Sequence, residues 1–160
     1  MYALQFSTFG EPAEVMELVT LPDPAPPKAH EVLIGMEYAP LNPVDLLRAR
    51  GWYGVLPALP AGAGSEGVGR VLEVGEGVHH LNVGDRVLAP HPSPAFRERL
   101  VVPATDLFAL PLHADPQQLA MASINPSTAA LLLSEFVSLS SGEWIIQNAG
   151  NSGVGRAVIA

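Results

Sequence analysis

Sixteen prolines and fifteen glycines divide these 160 residues, most of them within the first two thirds, and they leave little room there for long helices. Proline removes a ladder donor and glycine tolerates tight turns, so this spacing favours brief strands joined by short connections. The segment from His30 to Ala39 shows the pattern best. Val32, Ile34, Met36 and Tyr38 alternate with Leu33, Gly35 and Glu37, the period-two signature of a strand with one buried face. Further strands are expected at Met1 to Phe6, Val15 to Leu21, Val68 to Val74, Asp85 to Ala89 and Arg99 to Val102, separated by PDPAPP, GEG and NVGD turns. This rhythm predicts a small β-barrel or sandwich. One short helix interrupts it: Asn42 caps, Pro43 takes the first helical position, Asp45 complements the dipole, Arg48 and Arg50 fall in the last turn, and Gly51 stops it.

The texture changes near Asp115. Asp115 with Pro116, and Asn125 with Pro126, each read as a cap followed by an N1 proline, and Ser127 to Phe136 is rich in Ala and Leu. Glu143 to Gln147 reads as a short apolar strand leading into NAGNSGVGRAVIA. Strand, glycine-rich turn and helix start make the opening of a dinucleotide-binding βαβ unit, which needs about 30 residues or more to complete. The predicted organisation is a β-rich domain over residues 1–118, followed by the incomplete start of an α/β domain over residues 119–160.

Composition narrows the function classes. With 48% hydrophobic and 15% charged residues there is enough apolar side chain for a core and no signature of disorder. A net charge of -8, with Lys28 the one lysine, argues against a nucleic-acid surface. The absence of cysteine removes disulfides, thiolate metal sites and thiol nucleophiles. No apolar run approaches the roughly 18 residues of a membrane span, and MYALQF has no signal-like core. The expectation is a soluble cytoplasmic protein with no membrane partner.

Two stretches could carry chemistry. In the glycine-rich turn, Gly153 and Gly155, preceded by Ala149, Gly150 and Ser152, allow backbone amides to approach a pyrophosphate at a helix N-terminus, although such turns also occur without a ligand. In YGVLPALPAGAGSEGVG, Tyr53 lies on a loop stiffened by Pro57 and Pro60. It either donates a hydrogen bond or proton to a carbonyl oxygen or plugs the barrel mouth. Glu66 is either a ligand or base, or a charge tied to backbone amides. The five histidines lack zinc-pair spacing and read as surface residues, and Ser127 and Thr128 read as capping residues.

Taken together, MYALQF, EVLIGMEYAPLNPVD, GVGRVLEVGEGV, NVGDRVLAP and the glycine turn resemble the medium-chain dehydrogenase/reductase superfamily. Its members join a GroES-like β-barrel to a Rossmann domain, with the active site in the cleft between. Where zinc enzymes of that superfamily carry a cysteine before the early helix and a His-Glu pair after a glycine, this chain reads NPVD and GSEG, with Ser65 in place of the histidine. The resemblance therefore points to the zinc-free branch. Within it, YGVLPALPAGAGSEGVG, INPSTAALLL and QNAGNSGVGRAVI favour the 2-enoyl thioester reductases over the quinone oxidoreductases. It implies NADPH as cofactor, no zinc, and reduction of a conjugated C=C beside a carbonyl. It assigns Tyr53 to the thioester carbonyl, and Asn42 and Asp45, with Glu66 nearby, to the cleft. Thr128 falls near the nicotinamide, and Asn148, Asn151, Ser152, Gly153, Val154 and Gly155 at the pyrophosphate. It implies a homodimer for the intact protein. The stretch HPSPAFRERLVVP is shorter than in mitochondrial enoyl reductases and lacks their glycine-tryptophan segment. This keeps a quinone or enone substrate open, and an inactive truncated GroES-like module is the reading from another class.

Overall fold

A computed structural model describes residues 1–160, which form two compact units, Met1–Ala120 and Met121–Ala160. In the first unit the elements are β1 (Tyr2–Phe6), α1 (Pro12–Val15), β2 (Met16–Thr20), β3 (Glu31–Tyr38), α2 (Pro43–Arg50), β4 (Ala61–Gly62), β5 (Val68–Val74), β6 (Arg86–Leu88), β7 (Arg99–Pro103) and α3 (Pro116–Leu119). The second unit holds α4 (Asn125–Ser134) and α5 (Gly153–Ile159).

The strands assemble into two antiparallel sheets. One has the order β2-β1-β4 and the other β6-β5-β3-β7. An isolated bridge pairs Ala3 with Arg97, and Leu4 N–H donates to the Phe96 carbonyl at 2.8 Å, which joins β1 to the chain entering β7. The expected barrel or sandwich is thus a pair of linked sheets. In the larger sheet Val32 and Ile34 of β3 are fully buried against Val71, Val87, Leu100 and Val102. Each such side chain contributes on the order of 1.5–3 kcal/mol by leaving water. The alternation predicted for β3 fades at its end: Met36 is half-buried and Tyr38 is 42% exposed. A register irregularity between Met36 and Tyr38 turns the strand there, as bulges do.

The predicted helix forms over Pro43–Arg50 with Asn42 in the cap position, but the Asn42 side chain makes no cap bond, because it is drawn to Glu66 instead. Gly51 ends it with φ 73°, a left-handed conformation that glycine adopts freely. Phe6, Ala49 and Ala61 form a second apolar cluster, with Val15 and Met16 packed on it, and this fixes α2 against β1 and β4.

Three expectations are corrected and one element is added. Val15 closes α1 rather than opening β2, because Pro12 at the start of PAEV nucleates a single helical turn. β4 was not expected, being two residues long and existing through its pairing with β1. Asn125 is the first residue of α4, with Ile124 in the cap position. Glu143 to Gln147 forms no strand; no neighbouring strand in its unit offers a ladder, so Trp144 and Ile146 stand 95% and 101% exposed. No helix is long and apolar enough to cross a membrane.

Candidate active site

In the first unit a cavity of about 210 Å³ opens beside α2. Val44 and Arg48 line it from the helix and Tyr53 and Leu56 from the following loop, and Ser65 and His91 line it as well. Ser65 is placed by an unusually crowded backbone. Gly64 has φ +94°, and a Cβ there would lie 2.8 Å from Phe96 N and 2.9 Å from Ala95 N, so the chain can pass only as glycine. Ser93 N–H and His91 Nδ1–H both donate to the Ser65 carbonyl, at 3.1 and 3.0 Å, and Arg48 Nη1 donates to the Gly64 carbonyl at 3.0 Å. Because its acceptor is a carbonyl, His91 carries a proton on Nδ1. Two side-chain atoms in this region are buried without a hydrogen-bond partner, Ser65 Oγ and Asp45 Oδ1.

Beside the cavity lies a buried polar cluster. Asn42 Nδ2 donates to Glu66 Oε1 at 3.0 Å, and Asn42 N–H donates to Asp45 Oδ2 at 2.7 Å. The Asn42 side chain therefore turns to Glu66 while the Asp45 carboxylate closes back on the helix start. Glu66 is fully buried and Asp45 is 2% exposed. Burial raises the Asp45 pKa above the ordinary carboxylate value; the Asn42 amide, the Ser65 hydroxyl and the Arg48 charge pull it back, and the Glu66 charge raises it further. The Ser65 hydroxyl is thus close enough to favour the ionised form without standing in hydrogen-bond geometry.

A raised folded pKa favours the native state fully below the unfolded value, and that advantage disappears as pH rises through the folded value. Asp45→Asn has no charge to titrate. Its stability relative to the parent is expected to improve as pH rises above the ordinary aspartate value of about 4 and then to level off, read as urea midpoints across a pH series; a flat difference would refute the reading.

Of the residues singled out in the sequence, Tyr53 lines the cavity, whereas Asn42, Asp45 and Glu66 form the cluster next to it. Ser65, Arg48 and His91 were read respectively as a replaced zinc position, a helix-end charge and a surface residue, and their convergence on the cavity was missed. All five histidines are exposed. No group of three or more His, Asp or Glu side chains is gathered that could hold a metal ion.

The second unit holds the glycine turn. Ser152 caps α5, its Oγ accepting from Gly155 N–H at 3.0 Å. A Cβ on Gly155 would lie 2.5 Å from the Ala149 carbonyl oxygen, so this glycine lets the helix start close onto its own turn. A Cβ on Gly153 would strike the Asn125 side-chain amide at 2.6 Å, which brings the first turns of α4 and α5 together. Asn148, Ser152, Val154 and Gly155 line a cavity of about 570 Å³; Thr128, Asn151 and Gly153 do not. The turn fits the phosphate part of a dinucleotide in two respects. Residues 148–160 contain Arg156 and no acidic residue, and the Gly153 and Val154 amides begin a helix that offers them no acceptor.

The alcohol dehydrogenase GroES-like domain family matches residues 28–111. The chain belongs to that family. This GroES-like chain is 42% identical over 158 residues to the mitochondrial enoyl-acyl-carrier-protein reductase of Bos taurus, covering 98% of this chain and 42% of the relative. It is 40% identical over 158 residues to that of Caenorhabditis elegans, covering 98% of this chain and 45% of the relative. Among solved structures, the Etr1p/NADP/crotonyl-CoA complex superposes with a TM-score of 0.86 at 30% identity, over 98% of this chain and 49% of that one. The chain thus spans less than half the length of the relatives it matches.

Proposed function

We propose that the protein to which this chain belongs reduces the conjugated C=C of a 2-enoyl thioester with NADPH. The observation that carries this reading is the cavity lined by Tyr53, Arg48 and Ser65, with no carboxylate in its lining. Such a lining suits an oxygen that gains negative charge. Support comes from the similarity to enoyl-acyl-carrier-protein reductases and from the NADP and crotonyl-CoA named in a related complex.

NADPH, when bound, supplies the hydride. On this reading Tyr53 O–H donates to the thioester carbonyl oxygen and strengthens that bond as enolate character develops. The Arg48 guanidinium adds a positive field from the same cavity. Asn42, Asp45 and Glu66 hold the start of α2, and with it Val44 and Arg48. The Gly153 and Val154 amides would hold the pyrophosphate, with Asn148, Asn151, Ser152 and Gly155 shaping the turn and Thr128 assigned to the nicotinamide end.

Initial rates of NADPH oxidation by the full-length protein test the proposal. Crotonyl-CoA is expected to be turned over with a higher kcat/KM than a naphthoquinone, and NADPH is expected to be preferred to NADH. A quinone preferred over the thioester would replace this reading with a quinone reductase.

A further inference from the structure

We propose that His91 is the acid that delivers a proton to the α-carbon of the substrate while Tyr53 serves the carbonyl oxygen. The inference deepens the enoyl reductase reading and rests on it. Hydride addition to the β-carbon of a conjugated thioester leaves an enolate, and the reaction is complete only when the α-carbon has taken up a proton. With Tyr53 at the oxygen, that proton needs a second donor. His91 is exposed and lines the cavity that Tyr53 lines. Its ring is held by one edge. Nδ1–H donates to the Ser65 carbonyl at 3.0 Å, and a carbonyl oxygen only accepts, so this nitrogen keeps its proton in both charge states of the imidazole. Proton exchange therefore falls on Nε2, at the opposite edge of the ring, where the protein places no hydrogen-bond partner. The anchor is rigid: the Ser65 carbonyl also accepts from Ser93 N–H at 3.1 Å, and Gly64 is confined by the backbone of Ala95 and Phe96.

The charged surroundings agree. The other titratable groups in the lining are Arg48 on α2 and Tyr53 on the loop that follows. The segment that carries His91, Pro90 to Ser93, adds none. Asp45 and Glu66 lie outside the lining and are buried, bonded to the Asn42 amide and side chain. No carboxylate in the cavity competes with the enolate for the proton on Nε2. In the step itself the Nε2–H bond breaks, and the electron pair of the enolate forms the new C–H bond at the α-carbon. The imidazolium becomes neutral imidazole and the thioester carbonyl is restored. Hydride at the β-carbon and proton at the α-carbon together reduce the C=C, and water returns a proton to the exposed ring before the next turnover.

The deciding variant is His91→Asn, because the asparagine amide nitrogen takes the place of Nδ1 and can still donate to the Ser65 carbonyl, whereas nothing takes the place of Nε2. For full-length protein with NADPH and crotonyl-CoA, the kcat of the parent is expected to fall as pH rises through the range in which histidine side chains lose their charge, about pH 5 to 8. His91→Asn should lose on the order of 100-fold in kcat and show no such fall. The ring itself gives a readout independent of turnover. In ¹⁵N-labelled full-length protein, NMR should find the neutral His91 ring protonated on Nδ1, with Nε2 the nitrogen that gains a proton as pH falls. A kcat and pH profile of His91→Asn equal to those of the parent overturn the proposal and leave His91 as a prop for Ser65. A neutral ring protonated on Nε2 overturns it as well. Failure of the enoyl reductase reading shows separately, as a parent protein that oxidises no NADPH with crotonyl-CoA at any pH although its His91 ring has the expected protonation, and it takes this step with it.

Discussion

Full-length protein carrying Tyr53→Phe is expected to lose on the order of 100-fold in kcat while its NADPH affinity stays unchanged. The size follows from where the proposed function puts the hydroxyl. A donor aimed at an oxygen whose charge grows along the reaction stabilises the transition state more than the bound substrate, so its loss falls on kcat rather than on ground-state binding. The fold should be indifferent. Tyr53 is 44% exposed on the loop after α2, so removal of its hydroxyl leaves no buried group without a partner. Steady-state kinetics with crotonyl-CoA, paired with a fluorescence titration of NADPH, measures both quantities. An unaltered kcat would take Tyr53 out of the mechanism.

The largest effect on stability is expected from Glu37→Ala. Glu37 on β3 accepts from Arg70 Nε on β5 at 2.5 Å and from Arg86 Nε on β6 at 2.9 Å. The Arg86 side chain is 7% exposed, and its other acceptors, the Leu112 and Ala114 carbonyls, are longer bonds at 3.3 and 3.4 Å. Removal of the carboxylate strands a buried guanidinium, a change that costs about 3–5 kcal/mol. Denaturant midpoints for the chain should fall accordingly, and a loss near zero would mean that the two carbonyls suffice for Arg86.

The pH dependence gives a second reading of the same pair. Burial pushes the Glu37 carboxyl up, but its hydrogen bonds with Arg86 and Arg70 and their charges outweigh this and hold it below the ordinary value. Such a group contributes stability that is present above the unfolded pKa and lost as pH falls through the depressed folded value. The gap between parent and Glu37→Ala should therefore narrow below about pH 4, and a gap that stays constant in acid would contradict this account.

Elements set by neighbouring residues could be read directly. Pro43 and Gly51 bracket α2, and the alternation through Val32 and Ile34 marks β3. What could not be read depends on partners distant in the chain. β4 exists because β1 passes beside it, and Glu143 to Gln147 has strand-like side chains but nothing to pair with. The candidate site divides in the same way. A tyrosine on a proline-stiffened loop is visible as a donor, but the convergence of His91 on the Ser65 carbonyl spans 26 residues and leaves no local pattern. Likewise nothing in the spacing of Glu37 and Arg86, 49 residues apart, announces that one balances the other.

The two walls of the Tyr53 cavity differ in how freely they can be rebuilt. Next to Ser65, side chains cannot be introduced at Gly62 or Gly64 without displacing Pro94 and Arg97 or the backbone of Ala95 and Phe96. Across the opening, Val55 and Leu56 are 77% and 48% exposed, and their replacement disturbs no core. Efforts to retune which ligands the cavity admits should therefore diversify residues 52–59 and leave the glycine-rich side intact, since only the first can change shape without dismantling its own support.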